Sequence, residues 1–245
     1  MSIFLLAFCF KACQDDTSIE DSSIEETSDS SKPSNSDHTN EGNTPELTNN
    51  SDWPDSIFTS VQATPYLSQT EREVIVELNK CRTNPKKYAQ EVLVPFLNAI
   101  DSNGIYVDSQ GSNIRTMEGK TAIQEAISAL SSQKPLPMLS PRKYLCEAAT
   151  DHCNDQGPNS LVGHGGSDGS GPTERARRHN PKCGGVGENI GYGAYTATEI
   201  VRGLIIDDGV SDRGHRNNIF HNYELVGVGI GDHVAYNTMC VIDFE

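Results

Sequence analysis

The spacing of apolar positions changes character along this chain. In "TEREVIVELNKC" (70–81), Val74, Leu78 and Cys81 share a helical face, and Thr70 with Glu73 has capping-box spacing. "NPKKYAQEVLVPFL" predicts a second helix, with Asn84 as cap and Pro85 in its first turn. After an irregular or hairpin insertion over 101–118, "TAIQEAISALSS" sets Ile123, Ile127 and Leu130 on one face of a third helix. "SPRKYLCEAATDHC" predicts a fourth, capped by Ser140 with Pro141 behind it, and Leu145, Ala148, Ala149 and His152 follow at helical spacing.

Beyond residue 180 the period shortens. "GGVGENIGYG" reads as a short strand broken by glycines, and "TATEIVRGLIIDDG" as a helix whose Thr196 and Glu199 form a capping box. "ELVGVGIGDH" and "AYNTMCVIDFE" alternate as two antiparallel strands joined by a loop around Asp232. Helices early, strands late and one helix among them predict an α+β domain in which helices cover a small antiparallel sheet.

The first sixty residues follow neither period. They hold seven Asp and five Glu against two Lys, which is -10 of the formal -15. Their scarcity of large apolar side chains cannot offset the entropy of ordering, so residues 14–64 are expected to be a disordered, self-repelling tether, with the folded domain running over 65–245. The domain is then only mildly acidic and has no basic face for nucleic acid. Ahead of the tether, residues 1–13 carry an apolar run from Ile3 to Phe10, too short to span a bilayer and similar to a secretory signal. "FKAC" makes Cys13 the candidate lipid anchor of a bacterial lipoprotein, with a plain cleaved signal as the alternative. Either version sends the protein out of the cytoplasm.

Four polar residues lie in glycine-rich or turn contexts: His164 in "VGHGGSDG", Glu188 in "GVGENIGYG", the Asp207-Asp208 pair closing a helix, and His215 in "RGHRNNIF". Two imidazoles with carboxylates suit a divalent cation such as zinc, or general acid-base work, although their spacing matches no compact metal motif. Arg175, Arg177 and Arg178 are expected to pair with acidic groups, His152 to pack in the core, and His179, His221 and His233 to be solvated. Tyr192 and Tyr195 suit either a cleft floor or strand-end packing. Cys81, Cys146, Cys153, Cys183 and Cys240 are an odd set within the domain. Cys146 and Cys153 lie about two turns apart on one helix, roughly 10 Å, which excludes a bond between them. The remaining pairings stay open.

"LNKCRTNP", "LSPRKYLCEAATDHC", "GHGGSDG", "PTERARR", "GENIGYG", "IVRGLIIDDG", "GHRNNIF" and "YELVGVGIG" resemble, in order and register over about residues 70–245, the CAP superfamily of cysteine-rich secretory, antigen-five and pathogenesis-related proteins, in its bacterial and protist branch. The resemblance implies a three-layer α-β-α sandwich with a central antiparallel sheet and an open cleft lined by His164, Glu188, Asp207 and His215. Asp207 stands where animal members carry a glutamate, and Leu204 replaces the family's aromatic residue in the same helix. The resemblance further implies a secreted or surface-tethered, non-catalytic binding module. Its ligand would be a lipid or sterol-like molecule, a divalent cation such as zinc held by His164 and His215, or an envelope partner. A metal-dependent hydrolase using the same cleft and a purely structural envelope domain are the alternatives.

Overall fold

A computed structural model describes residues 47, 49 and 51–245. The apolar segment 1–13, Cys13 and most of the acidic stretch lie outside the described residues. The chain forms helices α1 (Asp55–Thr59), α2 (Gln69–Thr83), α3 (Pro85–Tyr88) and α4 (Val94–Ala99), then the hairpin of β1 (Ile105–Val107) and β2 (Asn113–Arg115). Next come α5 (Lys120–Ser132), β3 (Ser140–Pro141), α6 (Lys143–Gln156), α7 (Pro172–His179), β4 (Gly187–Tyr192), α8 (Ala197–Ile206), α9 (Gly214–Ile219), β5 (Leu225–His233) and β6 (Asn237–Phe244). A π-helical turn, Ala89–Leu93, joins α3 to α4. Pro95 has no N–H and its ring crowds the carbonyl of Glu91, so a widened turn there relieves both. The hairpin falls within the 101–118 insertion.

The main sheet has the order β3-β5-β6-β4, with β6 antiparallel to both neighbours and the two-residue β3 parallel to β5. One face packs Val226, Val228, Cys240, Ile242 and Phe244 against the core built by α2, α5 and α8. On the other face, Ile190, Tyr192, Met239 and Val241 meet Ala149 and Cys153 of α6. The result is an α+β sandwich of helices, sheet and helices. The alternating glycines of "VGVGIGD" explain how α6 lies so close to β5. A Cβ at Gly227 would fall inside the backbone of Leu145 and Cys146, and one at Gly229 would come within 2.6 Å of Thr150 N. Those positions carry no side chain because a helix backbone fills the space.

Four expectations shift. The folded part begins before residue 65, because Trp53, Ile57, Phe58 and Val61 are buried in the main core. Trp53 Nε1 donates to Glu91 Oε2 at 2.9 Å, and Lys87 stacks over the Trp53 ring. Four apolar side chains in nine residues sufficed, against an acidic average that hid them. The capping box of α2 is Ser68 with Glu71, two residues earlier than Thr70 with Glu73. Ser140 is not a cap: its N–H donates to Glu224 O and it extends the sheet, so α6 starts after Arg142. The β5–β6 turn falls at Val234–Tyr236, past Asp232. All five domain cysteines are buried free thiols. Among the described residues no helix is long and apolar enough to cross a membrane.

Candidate functional site

The four residues form two imidazole–carboxylate pairs braced by β4. His164 sits in the loop after α6, where Gly163 takes a φ of +96° that a side chain would resist. Gln156 Nε2 donates to the carbonyls of Gly163 and Gly165, Arg175 Nη1 donates to His164 O, and Gly163 N donates to the hydroxyl of Tyr192. So held, His164 donates from Nδ1 to Glu188 Oε1 at 2.8 Å. The other oxygen of Glu188 accepts from Arg175 Nη2 at 2.5 Å. Burial alone would raise the Glu188 pKa, but the His164 hydrogen bond and the Arg175 charge outweigh it, and the group is held below the usual glutamate range.

The second pair rests on an unusual backbone. Asp207 closes α8 in the left-handed region, with φ 57° and ψ 44°. Aspartate tolerates that region better than most residues, and the turn aims its short side chain at the start of α9. Its Oδ2 accepts from His215 N at 2.9 Å and its Oδ1 from His215 Nδ1 at 2.7 Å. The methylene missing relative to glutamate is therefore made up by the turn. Arg213, also left-handed at φ 53°, returns to donate to Asp207 O and to form an ion pair with Glu118, whose pKa falls to about 2.

Asn189 joins the pairs. Its Nδ2 donates to His215 O, while Asn218 Nδ2 donates to Asn189 Oδ1 and to Glu188 O. Arg216 makes a two-pronged contact with Glu125 of α5. The tetrad thus ties α7, β4, α8 and α9 together. It is not the open cleft that the resemblance implies: Glu188 is 2 % exposed, Asp207 and His215 are 0 %, and only His164 reaches partway to solvent. The carboxylates draw the rings inward. Both imidazoles use Nδ1 on a carboxylate, the arrangement that often orients a metal-binding ring. Yet among the described residues no three His, Cys, Asp or Glu side chains are placed to hold a metal ion.

Behind Glu188 lies Asp243, its register partner on β6 and fully buried. Burial and the neighbouring Glu188 charge push its carboxyl well above the aspartate range, beside a Glu188 held below the glutamate range. His152 shares this pocket. It donates from Nε2 to Gly163 O, and burial lowers its pKa. Sequence reasoning missed Asn189 and Asp243, since an asparagine or aspartate at a strand looks like solvated polarity. It also missed Arg82, whose guanidinium donates to the carbonyls of Pro137, Ile219, His221 and Tyr223 and so fixes the loop after α9. His233, expected to be solvated, is buried and donates to Leu161 O, at the end of β5 where the ladder pairs it with Asn237.

None of the curated proteins matches the chain. Among solved structures, an outer surface protein of Borrelia burgdorferi is 15 % identical with a TM-score of 0.38, over 44 % of this chain and 77 % of its own. An extracellular SCP-domain protein of Bacillus anthracis is 22 % identical with a TM-score of 0.36, over 51 % of this chain and 37 % of its own. The family model of the cysteine-rich secretory proteins matches residues 77–244, more than half of the chain and all the elements that carry the tetrad. The chain belongs to the CAP family of cysteine-rich secretory proteins.

Proposed function

We propose that this chain is an extracellular, non-catalytic binding domain that takes up an apolar or amphipathic small molecule and leaves it chemically unchanged. One observation carries the reading: the tetrad's imidazoles and carboxylates engage one another, with Glu188, Asp207 and His215 below the surface, and hold four elements in place. Catalysis needs a group poised to attack, and the nearby candidates are occupied. Ser167 Oγ and Ser170 Oγ donate to the carboxylates of Asp155 and Asp168. Burial raises the pKa of all five thiols, which disfavours the reactive thiolate. The apolar run Ile3–Phe10 and Cys13 support export, with the acidic stretch after Cys13 as a surface tether.

The test is a pair of measurements on the full chain and its His164→Ala variant. Nile red, a neutral apolar dye, is expected to bind both with equal affinity and unit stoichiometry. Hydrolysis of p-nitrophenyl acetate is expected to be the same for both proteins. A turnover rate that collapses in the variant would make His164 a catalytic group and overturn the reading, as would failure of the dye to bind either protein.

A further inference from the structure

The hairpin of β1 and β2 walls an open recess against Arg202 and Gly203 of α8. Its return strand then runs through Met117 into α5, and this segment clasps the loop between α8 and α9, residues 207–213. Asp208 Oδ2 accepts from Met117 N at 2.6 Å, and its Oδ1 from Glu118 N at 2.8 Å. In return, Glu118 Oε1 accepts from Gly209 N at 2.7 Å, and Arg213 donates to both Glu118 oxygens. Three residues of the clasped loop lie in the left-handed region: Asp207, Gly209 and Arg213, with φ of 57°, 85° and 53°. Two of them carry side chains that resist this conformation, so the loop keeps its shape through its contacts.

Met117 serves this clasp twice. Its N–H is one of the donors, and its side chain folds back over the loop: a Cβ at Gly209 would stand 2.5 Å from Met117 Sδ and 3.4 Å from its Cε. The same side chain is 64 % exposed. Other sulfur atoms of the described residues are shielded. Met239 is 1 % exposed, Met138 packs partly buried against the core, and the five thiols are buried. A thiol attacks a peroxide as its thiolate, which burial disfavours here, whereas a thioether reacts without losing a proton. Among the described residues, Met117 is therefore the sulfur that a dissolved oxidant meets first.

We propose that Met117 is an oxidation site and that its sulfoxide loosens the clasp that holds Asp207 of the tetrad. The oxidant is a peroxide. A sulfur lone pair attacks one peroxide oxygen, the S–O bond forms as the O–O bond breaks, and the proton of the transferred hydroxyl passes to the leaving oxygen. With hydrogen peroxide the products are methionine sulfoxide and water: sulfur gives up two electrons and the peroxide takes them. The new oxygen is a polar acceptor on a side chain that had been apolar. The carboxylates of Asp208 and Glu118, which hold the backbone around it, offer it only further acceptors. It turns away from Gly209 into water, and the loop loses its apolar cover. Asp207, which gives both side-chain oxygens to His215, sits at the start of that loop and opens with it more often. The inference does not depend on what the domain binds.

The test treats the full chain with hydrogen peroxide and follows it by peptide mass spectrometry and by hydrogen exchange over residues 207–220. Met117 is expected to gain one oxygen about tenfold faster than Met138 or Met239, at the same rate at pH 6 and pH 8. Exchange in 207–220 is expected to quicken several-fold in the oxidised protein, at about threefold or more, and the melting temperature to fall by about 2 °C or more. The two methionine sulfoxide reductases, one for each epimer, are expected to restore both readings, an arm that uses the native sequence and relies on no variant. Met117→Leu keeps the apolar cover without the sulfur, and its exchange is expected to ignore peroxide. Met117→Gln, polar and not oxidisable, is expected to exchange like the oxidised protein with no peroxide added. Oxidation of Met138 or Met239 as fast as Met117 would overturn the proposal. So would unchanged exchange in protein fully oxidised at Met117, or a response of Met117→Leu equal to that of the parent.

Discussion

The tetrad and the hairpin recess meet on one helix, and they treat their charges in opposite ways. At the C-terminal end of α8, Asp207 gives both oxygens to His215 and is fully buried. Little more than a turn earlier, Arg202 makes no hydrogen bond or ion pair among the described residues and faces a solvent-connected space. A buried polar network whose members satisfy one another is rigid and selects one packing. Residues that look chemical in the sequence therefore hold elements together, and a hairpin that looks irregular walls an open recess.

The largest expected effect breaks the tetrad at its most buried charge. Glu188→Ala removes the partner of Arg175 and of His164 together, leaving a buried guanidinium uncompensated, and should destabilise the fold by about 3–5 kcal/mol in urea denaturation. Asp207→Ala strips two hydrogen bonds from a buried histidine and leaves alanine in a left-handed turn, for about 2–3 kcal/mol. Substitutions in the recess should do far less. A loss below about 0.5 kcal/mol in Glu188→Ala would contradict the structural role of the tetrad.

pH sharpens the same contrast. The folded pKa of Glu188 is depressed, so its contribution is present above the unfolded value near 4.3 and is lost as pH falls through the folded value. Asp243 runs the other way. Its folded pKa is raised, so its contribution is complete below about pH 3.9 and declines as pH rises toward the folded value. At neutral pH, Asp243→Asn should then stabilise the protein by about 1 kcal/mol or more, with the gain shrinking toward pH 4, as read from melting curves across that range. No gain at pH 7 would show that burial does not raise this carboxyl. The smallest effect lies on the recess side: Gly203→Ala should add about 0.5–1 kcal/mol from helix propensity, because nothing opposes the new methyl.

Much of this was legible in the chain. Helices α2, α5, α6 and α8 announced themselves by period, and Thr196 with Glu199 capped α8 where expected. Arg175 pairs with an acid as its neighbourhood suggested. Helices α7 and α9 were harder to read, because eight and six residues carry too little periodicity. The acidic average of the first sixty residues masked Trp53, Ile57 and Phe58, whose partners lie far along the chain. The tetrad's members could be picked out, but their burial could not, since it depends on the left-handed turn at Asp207 and on Asn189 reaching across to α9. The recess left only one faint trace, the glycine inside an otherwise apolar helix.

The most direct test of the tetrad's structural role is a thermal-shift comparison on the full chain at pH 7.5, with and without zinc. A ligand of the folded state raises the melting temperature by mass action. The expected result is no rise with zinc. A rise with zinc that disappears in the His164→Ala, His215→Ala double variant would contradict it, and would make the tetrad a metal centre.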